Sequence, residues 1–365
     1  MSRFERQINL SGFGPKAQQQ LQKAKVLVIG AGGLGCPVLL YLAAAGVGTL
    51  AICDGDVVAA SNLNRQVIFS ESDITKSKAE VAGIYLKQKY SDINIEIINK
   101  FLTVENTLQI FNAYDLIIDG SDNFQTRYMV NDACVLLNKP LVFGAVYQNE
   151  GQVAVFNVSD DNAVSSNYRD VFPNPPSENE ILNCNETGVL GVLPGIIGVM
   201  MASEAIKLIT GFGKALINKM LYYNLLTNTT YETEIAPNAV AKSIIPKTPE
   251  DFYKTDYTLL CGNLPSIEWS EALLLKNNTP GKVILLDVRE THEQPKLDGI
   301  ETMNIPLQSL SENIEPLNTA ENILVFCQSG IRSRKAVAVL RSKFLQKNIY
   351  SVAGGISKLN STINA

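Results

Sequence analysis

The segment Lys25-Val-Leu-Val-Ile-Gly-Ala-Gly-Gly-Leu-Gly35 constrains this chain more than any other. Val26 to Ile29 is an unbroken aliphatic run, the pattern of a strand buried on both faces. Gly30, Gly32, Gly33 and Gly35 then supply a tight turn in which a phosphate can approach the backbone closely. From Leu34 to Ala45 an apolar helix follows, and its first N–H groups face the turn and favour an anion there. A second strand, Thr49 to Cys53, delivers Asp54, 24 positions after Gly30, where a carboxylate can bond a ribose hydroxyl. The glycines alone would fit a βα turn with no ligand. Strand, glycines, helix, strand and acid in this order predict a nucleotide site on a mostly parallel α/β sheet.

With 365 residues, two domains are the natural count. The net charge of -5 and the lack of any basic run argue against a nucleic-acid surface. The first six residues lack a signal peptide's apolar core, and the longest uncharged apolar run, Gly188 to Ser203, contains Pro194 and is short for a bilayer. No membrane association is expected. The six cysteines are scattered with no C-x-x-C, which suits a reducing cytoplasm. Cys36, Cys53 and Cys134 lie in apolar elements and read as core.

Residues 1 to 24 read as one or two short helices that carry Arg3 and Arg6 with no local partner. After Asp54 and Asp56, the polar loop Ser61-Asn-Leu-Asn-Arg-Gln66 sits at the carboxyl end of the second strand. Asn62 and Arg65 on it can therefore reach a triphosphate. Lys78 falls in the first turn of a helix running to about Tyr90, where it opposes the helix dipole and calls for an anion nearby. Tyr114 to Asp119 is another buried strand, followed by Gly120-Ser-Asp-Asn123 and a helix to Leu137. Asp122 is a candidate ligand for Mg²⁺ carried by ATP, with a helix cap as the plainer role. The long polar loop from Asn157 to Asn185 ends near Cys184, a cysteine in polar company and a candidate nucleophile. A helix with Pro194 near its start and Gly211 past its end follows, then a strand pair from Leu221 to Glu234.

The domains predicted are 1–245 and 264–365, with 246–263 as a linker. In the second, Pro265 to Ala272 reads as a capped helix, and Lys282 to Asp287 and Asn322 to Phe326 as strands. The last strand runs into Cys327-Gln-Ser-Gly-Ile-Arg-Ser333 and a helix from Arg334 to Leu345. A cysteine between a buried strand and a helix N-terminus has its thiolate stabilised by backbone N–H groups. The persulfide-loop residues are Cys327, Gln328, Ser329, Gly330, Ile331 and Arg332. Their C-x4-R spacing is one residue tighter than the C-x5-R loop that holds a phosphate, and suits a persulfide sulfur. The one histidine, His292, reads as a surface residue.

Two families are recognisable. Residues 1 to about 262 resemble the HesA/MoeB/ThiF adenylyltransferases, relatives of ubiquitin-activating enzymes. The resemblance rests on Arg3-Phe-Glu-Arg-Gln7, Gly30 to Gly35, Asp54-Gly-Asp56, Ser61 to Gln66, Lys78, Ser121-Asp-Asn123 and Cys184 before Gly188-Val-Leu. Residues 264 to 365 resemble a rhodanese domain through Asp287-Val-Arg-Glu290, Asn304-Ile-Pro-Leu307, Cys327 to Ser333 and Gly354-Gly355. The resemblance implies a Rossmann-like adenylation domain followed by a small α/β rhodanese domain. It implies that ATP with Mg²⁺ adenylates the C-terminal glycine of a small ubiquitin-like sulfur carrier ending in Gly-Gly, the molybdopterin-synthase small-subunit type first, the thiamine type second. Sulfur, supplied by a donor such as a cysteine desulfurase, then gives a thiocarboxylate. Catalytic roles would fall to Arg65, Lys78, Cys184 and Cys327, and to Arg6 reaching across a homodimer. Gly30, Gly32, Gly33, Gly35, Asp54, Asp56, Asn62, Asp122 and Asn123 would join Arg65 and Lys78 at the nucleotide.

Relatives hold structural zinc with two C-x-x-C pairs, which would fall near Asn167 to Asp170 and Ala239 to Lys242. No cysteine stands at either place, so no structural zinc is expected. In the rhodanese half, the usual histidine-containing segment before Asn304 is altered. Two readings from other classes compete: a nicotinamide-dependent oxidoreductase, whose tyrosine–lysine pair Tyr85-x-x-x-Lys89 mimics although on an amphipathic helix it reads as surface periodicity, and a non-catalytic scaffold. Carrier-dependent pyrophosphate exchange separates the first from adenylation, and thiocyanate formation lost in Cys327→Ala excludes the second.

Overall fold

A computed structural model describes residues 3–159, 161, 164–173, 188–257, 264–297, 299–344 and 346–363. The chain forms two compact units, Met1–Tyr257 and Thr258–Ala365.

The first unit is built on β1 (Lys25–Ile29), β2 (Thr49–Cys53), β3 (Asn94–Ile98), β4 (Leu116–Asp119), β5 (Leu141–Tyr147), β6 (Glu150–Phe156), β7 (Lys219–Asn224) and β8 (Thr229–Glu234). They form one sheet in the order β3-β2-β1-β4-β5-β6-β7-β8. The pairs from β3 to β5 are parallel, and those from β5 to β8 antiparallel. In β1 and β4 every residue but Lys25 is buried, because the crossover helices cover both faces, and this is why their sequences do not alternate. The chain leaves β1 toward β2 on one side and reaches β4 on the other. The turn after β1 therefore opens at the reversal of strand order, where such sheets bind ligands.

Helix Val192–Thr210 packs on helix Gly35–Ala45 and on β5 and β6. It extends beyond the apolar run to Ser203 and is, by length and composition alone, long and apolar enough to cross a membrane. Leu193, Ile197, Met201 and Ala205 are buried, and the buried Glu204 carboxylate accepts a bond from Leu216 N (2.8 Å), so it is a core helix of this unit. The sequence placed a linker at 246–263, but its first half belongs to the fold. Pro249–Lys254 is a helix capped by Thr248, Phe252 is fully buried, and Tyr257 Oη donates to Asp132 (2.9 Å). A six-residue helix is too short to show a period, so two aromatic anchors read as loop.

Where the resemblance would put zinc, a polar clasp joins the same two segments. Asp170 accepts bonds from Asn167 N (2.7 Å) with one carboxylate oxygen and from Asn238 N (2.6 Å) with the other. Beside it, Arg169 forks onto Asp132 through Nε and Nη2, both at 2.7 Å and both side chains buried. Zinc of the structural kind needs four ligands rich in thiolate, and these residues do not fit it.

The second unit has a parallel sheet of β9 (Ser266–Ile267), β10 (Val283–Asp287), β11 (Met303–Asn304), β12 (Asn322–Phe326) and β13 (Asn348–Val352), in the order β11-β10-β12-β13-β9. The helix expected from Pro265 begins only at Trp269, because Ser266 and Ile267 pair with the edge of β13. Trp269 Nε1 then donates to Gly355 O (2.7 Å). The helix after Cys327 starts at Ile331, earlier than Arg334.

Candidate functional site

Two positions fix the turn after β1. Gly30 has φ 82°, and a Cβ at Gly35 would lie 1.8 Å from Gly30 O, so the helix can begin this close to the strand only without a side chain. Asp54 closes the turn from β2: its carboxylate accepts Ala31 N (2.7 Å) and Asp56 N (2.8 Å). Burial raises the Asp54 carboxyl above its ordinary range, and these two N–H groups and Lys78 oppose that rise.

Lys78, the first residue of helix Lys78–Lys89, is buried with its Nζ 3.1 Å from Asp56 Oδ2. This is the anion that its place in the helix calls for, and Asp56 itself stays exposed. Arg65 lies over the turn, since a Cβ at Gly33 would meet its Cδ at 3.5 Å. Its guanidinium is folded onto its own loop, donating to Ser61 O (2.9 Å) and Asn64 Oδ1 (3.0 Å), rather than extended over the turn. Asn62 accepts Ala59 N (3.3 Å) and so shapes the same loop.

After β4, Asn123 caps helix Phe124–Leu136 by accepting Thr126 N (2.9 Å). The cap thus falls to Asn123 and leaves Asp122 exposed, with no hydrogen bond or ion pair among the described residues. An exposed, unengaged carboxylate beside the turn fits Mg²⁺ carried by a triphosphate. Arg6, in helix Glu5–Ile8, is exposed and likewise without a partner among the described residues, whereas Arg3 pairs with Asp92 (2.6 Å). Cys184 lies outside the described residues. Chain described again from Gly188 reaches the site at once: a Cβ at Gly191 would strike Asn64 O at 2.1 Å.

Three residues at the turn were not singled out in the sequence. Gln66 Oε1, Ser121 Oγ and Arg127 Nε are buried with no hydrogen-bond partner among the described residues. Gln66 flanks Gly32, Ser121 follows the Gly120 that abuts Gly30, and Arg127 Nη2 donates to Ser121 O (3.3 Å). Buried polar groups without partners are costly, and their clustering around one turn points to a polar ligand. The signal for Arg127 was its place one helical turn after Asn123. Tyr85 and Lys89, by contrast, meet each other (3.4 Å) on an exposed helix face. A cavity of about 340 Å³ lined by Lys23, Asp115, Leu116 and Pro140 opens at the amino ends of β1 and β4, away from this turn.

In the second unit, Cys327 follows β12 directly, and its sulfur receives Gly330 N (3.2 Å) and Ser333 N (3.3 Å). Gly330, at φ 97°, bends the backbone so that both N–H groups converge. Ser333 Oγ bonds Gly330 O (2.9 Å) and Ser351 Oγ (2.7 Å), bracing the loop from β13. Gln328 Nε2 and Ser357 Oγ meet at 3.2 Å. Arg332, expected at the sulfur, instead forks onto Glu293, and the fully buried Arg289 forks onto Asp287. His292 is exposed, as its sequence setting suggested. Cys36, Cys53 and Cys134 are buried, and burial pushes the first two thiols up to about 12 and the third well above its ordinary value.

Residues 4–243 match the ThiF family. The chain belongs to it. Residues 270–362 match the rhodanese-like domain. The chain is 37% identical over 368 residues to the probable adenylyltransferase/sulfurtransferase MoeZ of Mycobacterium tuberculosis, covering 98% of this chain and 92% of that one. It is 34% identical over 390 residues to the adenylyltransferase and sulfurtransferase MOCS3 of Anopheles gambiae, covering 100% and 87%. The sulfur carrier protein adenylyltransferase of Thermus thermophilus is 43% identical over 263 residues, covering 72% of this chain and 97% of that relative. Among solved structures, Escherichia coli MccB with MccA-N7isoASN superposes with a TM-score of 0.57 at 22% identity, covering 66% of this chain and 74% of that one. MccB with ATP gives 0.54 at 21%, covering 66% and 75%. At these identities the two structures show a shared fold. ThiF family and rhodanese-like domain thus fall on the two units in the order read from the sequence.

Proposed function

We propose that this chain, an adenylyltransferase with a sulfurtransferase domain, activates a small ubiquitin-like sulfur carrier of the molybdopterin-synthase small-subunit type and converts its C-terminal glycine to a thiocarboxylate. The observation that carries this reading is the pairing, in one chain, of a glycine turn ringed by Asp54, Asp56, Arg65 and Lys78 with a loop aiming two N–H groups at a cysteine sulfur. The relatives that span nearly the whole chain are named for both transfers.

The carrier's terminal carboxylate attacks the α-phosphorus of ATP, and pyrophosphate leaves. Negative charge builds on the phosphoryl oxygens, and Lys78 released from Asp56, together with Arg65 swung off Ser61 O, stabilises it. Arg6, exposed and unengaged, supplies a further cation from the partner in a homodimer. Asp54 holds the ribose and Asp122 the Mg²⁺, which supplies charge neutralisation of the triphosphate. The Cys327 persulfide anion then attacks the acyl carbon of the adenylate and AMP leaves. The resulting acyl disulfide is cleaved by a second thiol, Cys184 or an external dithiol, to release the thiocarboxylate. The two N–H groups at Cys327 hold the persulfide as an anion, the form that attacks. A cytoplasmic setting keeps these thiols reduced.

Pyrophosphate exchange with purified chain, ATP and carriers ending in Gly-Gly tests the reading. Exchange should require the carrier, and mass spectrometry should show the molybdopterin-type carrier converted to thiocarboxylate faster than the thiamine type. Exchange without any carrier, or nicotinamide binding in its place, would refute it.

A further inference from the structure

Among the described residues, the two arginines whose ion pairs flank the Cys327 loop, Arg289 and Arg332, are each held by a carboxylate. Arg289 is fully buried, with Nε and Nη2 on Asp287 (2.8 to 3.2 Å) and Nη2 also on Pro295 O (2.9 Å). Arg332 meets Glu293 fork to fork, Nη1 to Oε1 at 2.5 Å and Nη2 to Oε2 at 2.7 Å. Glu293 is fixed in turn, because its Oε1 accepts Glu290 N (2.9 Å). Its carboxyl is held down to about 2, first by the bond from Arg332, so it is ionised at any working pH. Two cations and two anions cancel. What remains at the sulfur is a pair of uncharged N–H donors.

That arrangement discriminates between sulfur donors by charge. Thiosulfate is a dianion and needs a cation, yet the guanidinium fork it would use already holds a carboxylate, and bidentate pairs of this kind are the strong ones. A persulfide brings its sulfane sulfur with one negative charge at most, which two N–H groups suffice to hold. We propose that Glu293 is a specificity-determining residue, which by occupying Arg332 directs sulfur loading toward a persulfide borne by a thiol or protein and away from the thiosulfate dianion.

The inference rests on the reading that Cys327 takes up sulfur. In that step the Cys327 thiolate attacks the outer sulfur of the donor, and a new S–S bond forms as the donor's own S–S bond breaks. The electron pair leaves on the donor's inner sulfur, as a thiolate from a persulfide or as sulfite from thiosulfate, and Cys327 is left as a persulfide.

The test uses the full chain and two donors, thiosulfate and cysteine persulfide, with cyanide as acceptor. Glu293→Gln should lower the KM for thiosulfate about tenfold, the scale of one partly solvated charge acting on a dianion. The ratio of kcat/KM for thiosulfate to that for cysteine persulfide should rise by the same factor. Glu293→Asp, which keeps the charge, should restore much of the wild-type preference, and adding Arg332→Ala to Glu293→Gln should abolish the gain. An unchanged thiosulfate KM in a variant that is still folded at the assay temperature, as circular dichroism would show, would overturn the proposal. So would a parallel change with both donors, the mark of a purely structural role. If Cys327→Ala turned over both donors like wild type, the underlying reading would fail instead.

Discussion

The two loops share a plan: strand, glycine-bearing turn, helix N-terminus. They differ in what is done with charge. At the first turn the cations are loosely held. Lys78 pairs with an exposed Asp56, Arg65 rests on backbone and amide oxygens, and Arg6 has no partner among the described residues. At the second, Arg289 and Arg332 are each locked by a bidentate carboxylate. A triphosphate carries several charges and needs cations that can move to it, whereas a sulfane sulfur needs little more than oriented N–H groups. One scaffold therefore serves phosphoryl or sulfur chemistry according to whether its cations are neutralised.

The sharpest way to break this contrast is to remove the reacting groups. Cys327→Ala should abolish persulfide formation, read by mass spectrometry after donor treatment, while carrier-dependent pyrophosphate exchange continues. Arg65→Ala and Lys78→Ala should each slow that exchange by about 10² to 10³-fold, the usual loss for a donor that stabilises a transition state. An undiminished rate would mean that neither cation acts on the transition state. Asp132→Ala, which strands the buried Arg169, should cost about 3–5 kcal/mol of stability in chemical denaturation.

A pH series sharpens the comparison further. The Glu293 carboxyl sits at about 2 in the fold against 4.5 ordinarily. A lowered carboxyl contributes stability that is complete above about pH 4.5 and is lost as pH falls toward 2. Wild type should therefore exceed Glu293→Gln in stability by a constant margin from pH 5 to 8, and the margin should close in acid. The smallest effect is expected at the buried thiols: at pH 8 an alkylating reagent should leave Cys36, Cys53 and Cys134 unmodified in the native protein, as peptide mapping would show.

Much of the first site was legible because its parts are local. The glycines, Asp54 and Lys78 are bound to strand and helix ends, and the need for an anion near Lys78 followed from the helix dipole alone. Asp56 as that anion was not foreseeable, since 22 positions separate the pair. Arg127 and Gln66 escaped for a related reason: their orphaned atoms emerge only when three loops converge. In the second unit the C-x4-R spacing located the sulfur loop, but Arg332 was assigned to the sulfur because its partner Glu293 lies 39 positions away. The helix start at Trp269 and the packed helix Pro249–Lys254 were missed because a two-residue edge strand and a six-residue helix carry no readable period.

The clasp of Asp170, Arg169, Asp132 and Tyr257 contains no sulfur. A knot of thiolates in its place would be open to peroxide, whereas carboxylate, guanidinium and phenol are inert to it. Mild oxidative stress that stops sulfur transfer should therefore leave this clasp intact and carrier activation running, so that acyl-adenylate accumulates with no sulfur to receive it.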